Sequence, residues 1–367
     1  MKTNLLKTLL LLSLVSLTSC SSAKEVAISS YFDESLTFHE NFKVLQITDM
    51  HWSVNTDAVH QGAYLKNLVK KIAPDYIMIT GDSLLGATTS TAEALIKVIE
   101  AWDVPFGITW GNHDREGEYS PAWLSNRFKN AKNSHYNEVD DDVFGRGNYV
   151  VSLMDSTSKK AKWNLYSLDS NSYPQTFNGV YYNYDVIHED QVDWFNQAAS
   201  YSATKNGSEV PSLAYFHIPL FQWAYSYLQN QDGLIGELLE KNYYTTGPQE
   251  LLDQFAEKGL FLKNWVGYKD TGFFDAGVSH NVRGFFCGHD HSNDWGNKYT
   301  SLKGTAFVGY GVKSGKELYY AHSAKRNFDV IGGSLTTLHE DGTFDLTHCF
   351  MQDDEAYTLY SEEVKGL

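Results

Sequence analysis

Five short runs of this chain concentrate side chains that bind metal ions through nitrogen and oxygen. They are Asp49-Met50-His51, Gly81-Asp82, Gly111-Asn112-His113-Asp114, the lone His217, and Gly288-His289-Asp290-His291. Imidazole, carboxylate and amide oxygen together suit Zn, Fe or Mn. Singly each run says little, since Gly-Asp after a strand is commonly a turn and a lone His at a strand end is commonly a hydrogen-bonded polar residue. Gly-His-x-His and Gly-Asn-His-Asp are rarer, because His and Asn at strand ends carry a solvation cost unless they are paired. All five in this order on one chain are not accidental.

The segments before these runs are what positions them. Residues 44–48 read as a strand ending at Asp49, residues 76–80 as a second ending at Gly81-Asp82, and residues 105–109 as a third leading to Gly111-Asn112. Helical spacing fills the gaps: Leu65, Leu68, Val69 and Ile72 within 64–72, then Ala94, Leu95, Val98 and Ile99 within 91–102. This is βαβαβ, which predicts parallel strands with helices outside them. Ligands of such sheets bind beyond the carboxyl ends of the strands, where all five runs fall. Residues 149–154 and 163–169 read as a hairpin, 189–199 as a helix and 212–217 as a strand running into His217. The last third is strand-rich, with strands expected at 282–287, 305–309, 328–337 and 343–350. Segments 221–247 and 262–281 read as insertions, either roofing a pocket or running over the surface.

The chain has 367 residues and a formal net charge of -16, from 29 Lys and Arg against 45 Asp and Glu. A chain this long can bury its own core without disulfides. Its acidity argues against a broad nucleic-acid-binding surface, and a phosphorylated substrate would need local positive charge. The N-terminus has Lys2 and Lys7, then the apolar run Leu9 to Leu12 continued by Leu14, Val15 and Leu17, the layout of a secretory signal. Leu17-Thr18-Ser19-Cys20 resembles the bacterial lipobox, in which cleavage precedes the Cys and the thiol is acylated. Residues 1–19 are therefore expected to be a signal peptide, residues 20–41 a leader lipid-anchored at Cys20, and residues 351–367 a tail. The expected location is the bacterial cell envelope, lipid-anchored on a membrane surface facing either the periplasm or the exterior. The remaining Cys287 and Cys349 lie in apolar runs and are expected to be buried free thiols.

With its five runs in order, the chain resembles the calcineurin-like metallophosphoesterase superfamily over residues 42–350. Residues 186–194, His217-Ile218-Pro219-Leu220, residues 287–294 and Tyr310-Gly311-Val312-Lys313-Ser314-Gly315 are similar to its purple-acid-phosphatase-like branch. The resemblance implies an α/β fold, a four-layer α/β/β/α sandwich of two mixed β-sheets flanked by helices, with two metal ions at one edge. One ion would take Asp49, His51 and His291, the other Asn112, His217 and His289, with Asp82 bridging both. The ions would be divalent or trivalent, Fe, Zn or Mn. The position that carries an iron-binding tyrosine in true purple acid phosphatases is Leu85 here, so the resemblance does not specify iron.

The implied activity is hydrolysis of a phosphate monoester on a small molecule by a hydroxide held between the metals. His113 would stabilise or protonate the departing oxygen, and Asp114 would fix its tautomer and raise its pKa. Arg115 and Glu116 read as a solvated salt-bridging pair, with a part in setting substrate preference as the alternative, and Lys313 as either a substrate-phosphate contact or a surface lysine. His39, His60, His135, His188, His280, His322, His339 and His348 match no motif and read as structural or surface residues. A phosphodiesterase or nucleotidase could use the same site. A non-catalytic surface lipoprotein is the reading from a different class, and seven filled ligand positions weigh against it.

Overall fold

A computed structural model describes residues 27–139, 143–174, 184–223, 226, 266–267, 269–323 and 327–364. It has two large mixed sheets. The first, of six strands, is built on the expected βαβαβ unit: β2 (Phe42–Ile47), α1 (Ala58–Ile72), β3 (Tyr76–Thr80), α2 (Thr89–Glu100) and β4 (Phe106–Thr109). β2, β3 and β4 run parallel, and β13 (Gly332–Leu338), β14 (Phe344–Met351) and β15 (Leu359–Glu363) extend the sheet antiparallel from β2. α1 begins earlier than its apolar spacing shows, because the Asp57 side chain accepts from the backbone N–H groups of Val59 and His60 and caps the first turn.

The second sheet, of seven strands, has the order β1-β5-β6-β7-β8-β10-β9. Its strands are β1 (Phe32–Thr37), β5 (Tyr149–Met154), β6 (Ala161–Ser167), β7 (Ser212–Tyr215), β8 (Val282–Cys287), β9 (Gly296–Ser301) and β10 (Gly304–Tyr310). β5 and β6 form the expected antiparallel hairpin, while β6, β7, β8 and β10 run parallel. Successive side chains on a strand face opposite ways. Leu165, Leu213, Tyr215, Phe286 and Phe307 thus join the core shared with the first sheet, and Tyr166, Ala214, Phe216, Phe285 and Val308 pack in a second core with α4 (Glu189–Asn206) and α5 (Phe273–Ser279). With α1 and α2 on the outer face of the first sheet, the layers run α/β/β/α, as expected.

Several expectations change. Residues 28–37 were expected within a leader, yet a 3₁₀ turn (Ile28–Tyr31) leads into β1, which pairs in parallel with β5. The expected tail contributes β15, paired with β14. The single strand expected over 328–337 is two, β12 (Phe328–Asp329) and β13, because Val330 N–H bonds to the Ala321 carbonyl and pairing with β14 begins only at Gly332. β12 pairs with β11 (His322–Ser323). α3 (Pro121–Lys129) and β9 had no expected counterpart. Most of the first insertion and part of the second lie outside the described residues; the end of the second is α5, buried on α4 and β8. The signal peptide and Cys20 also lie outside them.

Candidate metal centre

All five motif runs leave the carboxyl ends of parallel strands, so the two sheets deliver them to one edge. β2, β3 and β4 supply Asp49 and His51, Asp82, and Asn112, while β7 and β8 supply His217 and the pair His289 and His291. Backbone bonds continue past the strand ends, from Asp49 N–H to the Gly81 carbonyl (3.0 Å) and from His51 N–H to that of Asp82 (2.9 Å). Between the sheets, Gln46 is buried and donates to Thr80 Oγ1 (2.8 Å) and the Cys287 carbonyl (2.9 Å).

The motif glycines permit this convergence. A Cβ on Gly288 would meet Thr48 Oγ1 at 2.0 Å and Asp49 Oδ2 at 2.7 Å, and one on Gly111 would meet Asp82 Oδ1 at 2.2 Å. Asp49, His51, Asp82 and His289 have positive φ, at 53°, 50°, 48° and 79°. Non-glycine residues rarely adopt that conformation, and four of the seven expected ligands share it. Such strain persists where the surrounding structure enforces it, typically at functional sites.

Among the described residues three sets of potential ligand side chains gather, one of them His51, Asp82 and His113. Asp49, His51 and His291 bring ligand atoms within 4.8 Å of one another, and so do Asp82, His217 and His289. Asp82 Oδ2 lies 3.1 Å from His217 Nε2 and 3.4 Å from His51 Nε2, between the two groups. His291 Nε2 stands 3.5 Å from Asp49 Oδ1, and His289 Nδ1 stands 3.3 Å from His217 Nε2. The His217 Nδ1–H donates to the Thr80 carbonyl (2.8 Å), which leaves Nε2 as the ligand nitrogen. Asn112 Nδ2 donates to Tyr173 Oη (3.0 Å), fixing the amide so that Oδ1 is left for a cation.

Among the described residues, Asn112 Oδ1 and His291 Nδ1 are buried without a hydrogen-bond partner, and Asp49 Oδ1 and His51 Nε2 have only the longer ionic contacts to His291 and Asp82. Buried polar atoms are rarely left so. Carboxylate, imidazole and amide oxygen are the donors a hard or borderline cation takes, and this donor set fits two such ions.

Electrostatics agree. Burial pushes the Asp82 carboxyl up, yet His217 and His51 hold it well below the usual range. Burial disfavours a charged His217, and Asp82 and Asp49 overcome this, raising it to about 9. Burial and then the charge on His217 lower His289 to about 3. In these shifts the neighbouring imidazoles supply the positive charge beside Asp82 and Asp49, a charge that a bound cation would supply in their place.

The surroundings of His113 differ from expectation. Asp114 does not touch it; this buried carboxylate instead accepts from Leu84 N–H (2.9 Å) and Gly111 N–H (2.8 Å), and burial raises its pKa. The partner is Glu116, whose Oε2 lies 2.7 Å from His113 Nδ1. His113–Arg115 form a 3₁₀ turn, in which side chains three apart eclipse while the next residue points elsewhere. Arg115 pairs with the buried Asp169 rather than with Glu116. Glu116 Oε1 also accepts from Tyr173 Oη (3.2 Å), so His113, Glu116, Tyr173 and Asn112 form one chain of contacts.

Lys313 is not at the surface. It is buried, donates from Nζ to the Asp49 carbonyl (2.7 Å) and sits 3.1 Å from His51 Nδ1, with its pKa lowered to about 8 by burial. The eight unassigned histidines pair away from the centre: seven with carboxylates, such as His135 with Asp33 (2.8 Å) and His60 with Asp353 (2.9 Å), and His348 with Ser334 (2.9 Å). Cys287 and Cys349 are buried free thiols, as expected. The motifs gave no sign of Tyr173, Tyr184 or Tyr319. Glu116 could have been found from the three-residue spacing of a 3₁₀ turn.

Residues 42–293, more than half of the chain, match the family described as calcineurin-like phosphoesterase. The chain belongs to that family. Its phosphoesterase relatives include "Probable inactive purple acid phosphatase 14" of Arabidopsis thaliana, 24% identical over 336 residues, covering 80% of this chain and 78% of that one. "Phosphatase DCR2" of Saccharomyces cerevisiae is 26% identical over 297 residues, 74% of this chain and 47% of the yeast protein, so the chain spans about half of that relative. In structure it is similar to a dimetal phosphatase from Danio rerio, with a TM-score of 0.51 and 14% identity, covering 84% of this chain and 96% of that one. That likeness shows a shared metallophosphoesterase fold.

Proposed function

We propose that this chain is an exported, dinuclear-metal phosphoesterase acting on phosphate monoesters. The observation that carries the reading is that Asp49, His51 and His291, and likewise Asp82, His217 and His289, bring ligand atoms within 4.8 Å of one another at one buried edge, with Asp82 Oδ2 near both His51 and His217. Asp49, His51 and His291 would hold one ion, Asn112, His217 and His289 the other, and Asp82 would serve both. When bound, two cations supply Lewis-acid charge for the phosphoryl oxygens and lower the pKa of water.

The chain's own residues do the rest. Since a carboxylate only accepts, His113 would donate to Glu116 from Nδ1, and in the imidazolium form its Nε2–H would pass a proton to the departing oxygen, leaving the neutral Nδ1–H imidazole. Asp114 ties the loop that carries Asn112 to the one that follows Asp82, through the Gly111 and Leu84 amides. Fe, Zn and Mn all suit this donor set. The plant relative's name calls that protein inactive; here the filled ligand positions support catalysis.

Metal analysis of the purified protein, with hydrolysis of matched aryl phosphate mono- and diesters, tests this. Two metals per chain and monoester turnover are expected, with metal lost in Asp82→Asn. His113→Ala should slow turnover of poor leaving groups while metal content stays normal. A diester preference would overturn the monoester assignment, and two bound metals without turnover would overturn catalysis. Export rests on Lys2, Lys7 and the apolar run before Cys20. Fatty-acid labelling that persists in Cys20→Ser would refute the anchor.

A further inference from the structure

Two tyrosines from distant parts of the chain lie against the ligand histidines. The Tyr184 ring stands edge-on to His289, centroids 4.2 Å apart, and is backed by Tyr173 at 6.1 Å. The Tyr319 ring lies 4.7 Å from that of His291. Tyr319 is 65% exposed, so core packing does not account for its place.

The loop carrying Tyr319 is built to hold it there. Lys313 is tied to the Asp49 carbonyl, and Lys316 pairs with Asp353. Gly315 lies so close to the Met50 backbone that a Cβ would meet its carbonyl oxygen at 2.0 Å. Leu318 takes a φ of 61°, a conformation a leucine seldom adopts, just before Tyr319. An exposed aromatic held by a strained, anchored loop over a ligand of the candidate centre is a surface for a bound group, since aromatic rings pair in stacked or edge-on contact.

We infer that Tyr184 and Tyr319 form a recognition site for an uncharged aromatic ring carried by the phosphate ester, so that the preferred substrates are monophosphates of aromatic alcohols or nucleosides. This deepens the phosphoesterase reading and rests on it for the position of the phosphate. The charges nearby favour a neutral ring over further anionic groups. Asp290 stands close to both tyrosines and Glu317 lies on the loop, while Lys313 and Lys316 are engaged and Arg115 is held by Asp169. Each stacked ring should favour an aromatic group about twofold to tenfold over a saturated ring of similar shape.

The test compares benzyl phosphate with cyclohexylmethyl phosphate, esters of similarly shaped alcohols, by kcat/KM in the metal-loaded protein. Calorimetry of benzylphosphonate and cyclohexylmethylphosphonate then reads binding without turnover. The benzyl compound should be favoured in both measurements. Tyr319→Leu and Tyr184→Leu should each reduce the preference, and Tyr319→Phe should keep it. Equal binding of the two phosphonates, or a preference untouched by both Leu variants, overturns the inference. A phosphonate preference without hydrolysis of either ester would sink the phosphoesterase reading and leave the aromatic site standing. Hydrolysis of both esters with no preference would do the reverse.

Discussion

Replacing each of the two carboxylates near His113 separates the role expected of Asp114 from the one the structure gives to Glu116. The His113–Glu116 contact is 2.7 Å long, with side chains 28% and 37% exposed. A hydrogen bond to a charged group contributes about 1.5–3 kcal/mol when buried, and this exposure reduces it to about 1 kcal/mol. Glu116→Gln should therefore lower kcat about fivefold for esters of poor leaving groups and leave aryl esters of good leaving groups nearly unchanged. Asp114→Asn should act differently. Asp114 accepts from two buried amides, at 2.9 and 2.8 Å, and an Asn amide can accept from only one while its NH₂ faces the other. One unsatisfied buried donor and the opposed NH₂ should cost about 2–4 kcal/mol of stability, together with some metal. The assay is a leaving-group series for kcat, with denaturant unfolding and metal analysis on each variant. An Asp114→Asn protein of native stability that loses activity only on poor leaving groups, beside a Glu116→Gln protein like wild type, would refute the assignment.

Three further outcomes are expected. Tyr173→Phe removes the acceptor that orients the Asn112 amide, so metal should dissociate from one of two sites about tenfold more readily in dialysis; unchanged retention would show that Tyr173 does not orient the ligand. Gly288→Ala puts a Cβ against Thr48 and Asp49 and should destabilise the protein by about 1–3 kcal/mol and lower its metal content, read by denaturant unfolding and metal analysis. Burial raises Asp33, but His135 and Ser35 outweigh it and hold the carboxyl at about 2, so its contribution of roughly 2 kcal/mol is present above the unfolded value and lost as pH falls from about 4 to 2. Asp33→Asn should weaken the protein at neutral pH and flatten acid unfolding over that interval; an unaltered acid limb would argue against the tie between β1 and His135.

The βαβαβ unit was legible because local periodicity encodes it: Leu65, Leu68, Val69 and Ile72 mark α1, and the apolar run 76–80 is β3 to the residue. β1 was not legible, since its burial depends on β5 more than a hundred residues away, and residues 32–37 look polar. β15 was missed for the same reason, as only β14 gives it a partner.

The sequence alone determined which residue types stand at the strand ends, and with them the candidate ligands Asp49, His51, Asp82, Asn112, His217, His289 and His291 that the family resemblance implied. That information is local, because a strand, a tight turn and the residue after it are written within a few positions. Tertiary structure alone decided that Asp114 turns toward Leu84 and Gly111 while Glu116 takes His113, that Lys313 lies buried behind Asp49, and that Tyr184 and Tyr319 lie against His289 and His291. The reason is physical: contacts between residues up to 264 positions apart are set by where sheet edges and loops meet, which no short stretch of sequence records.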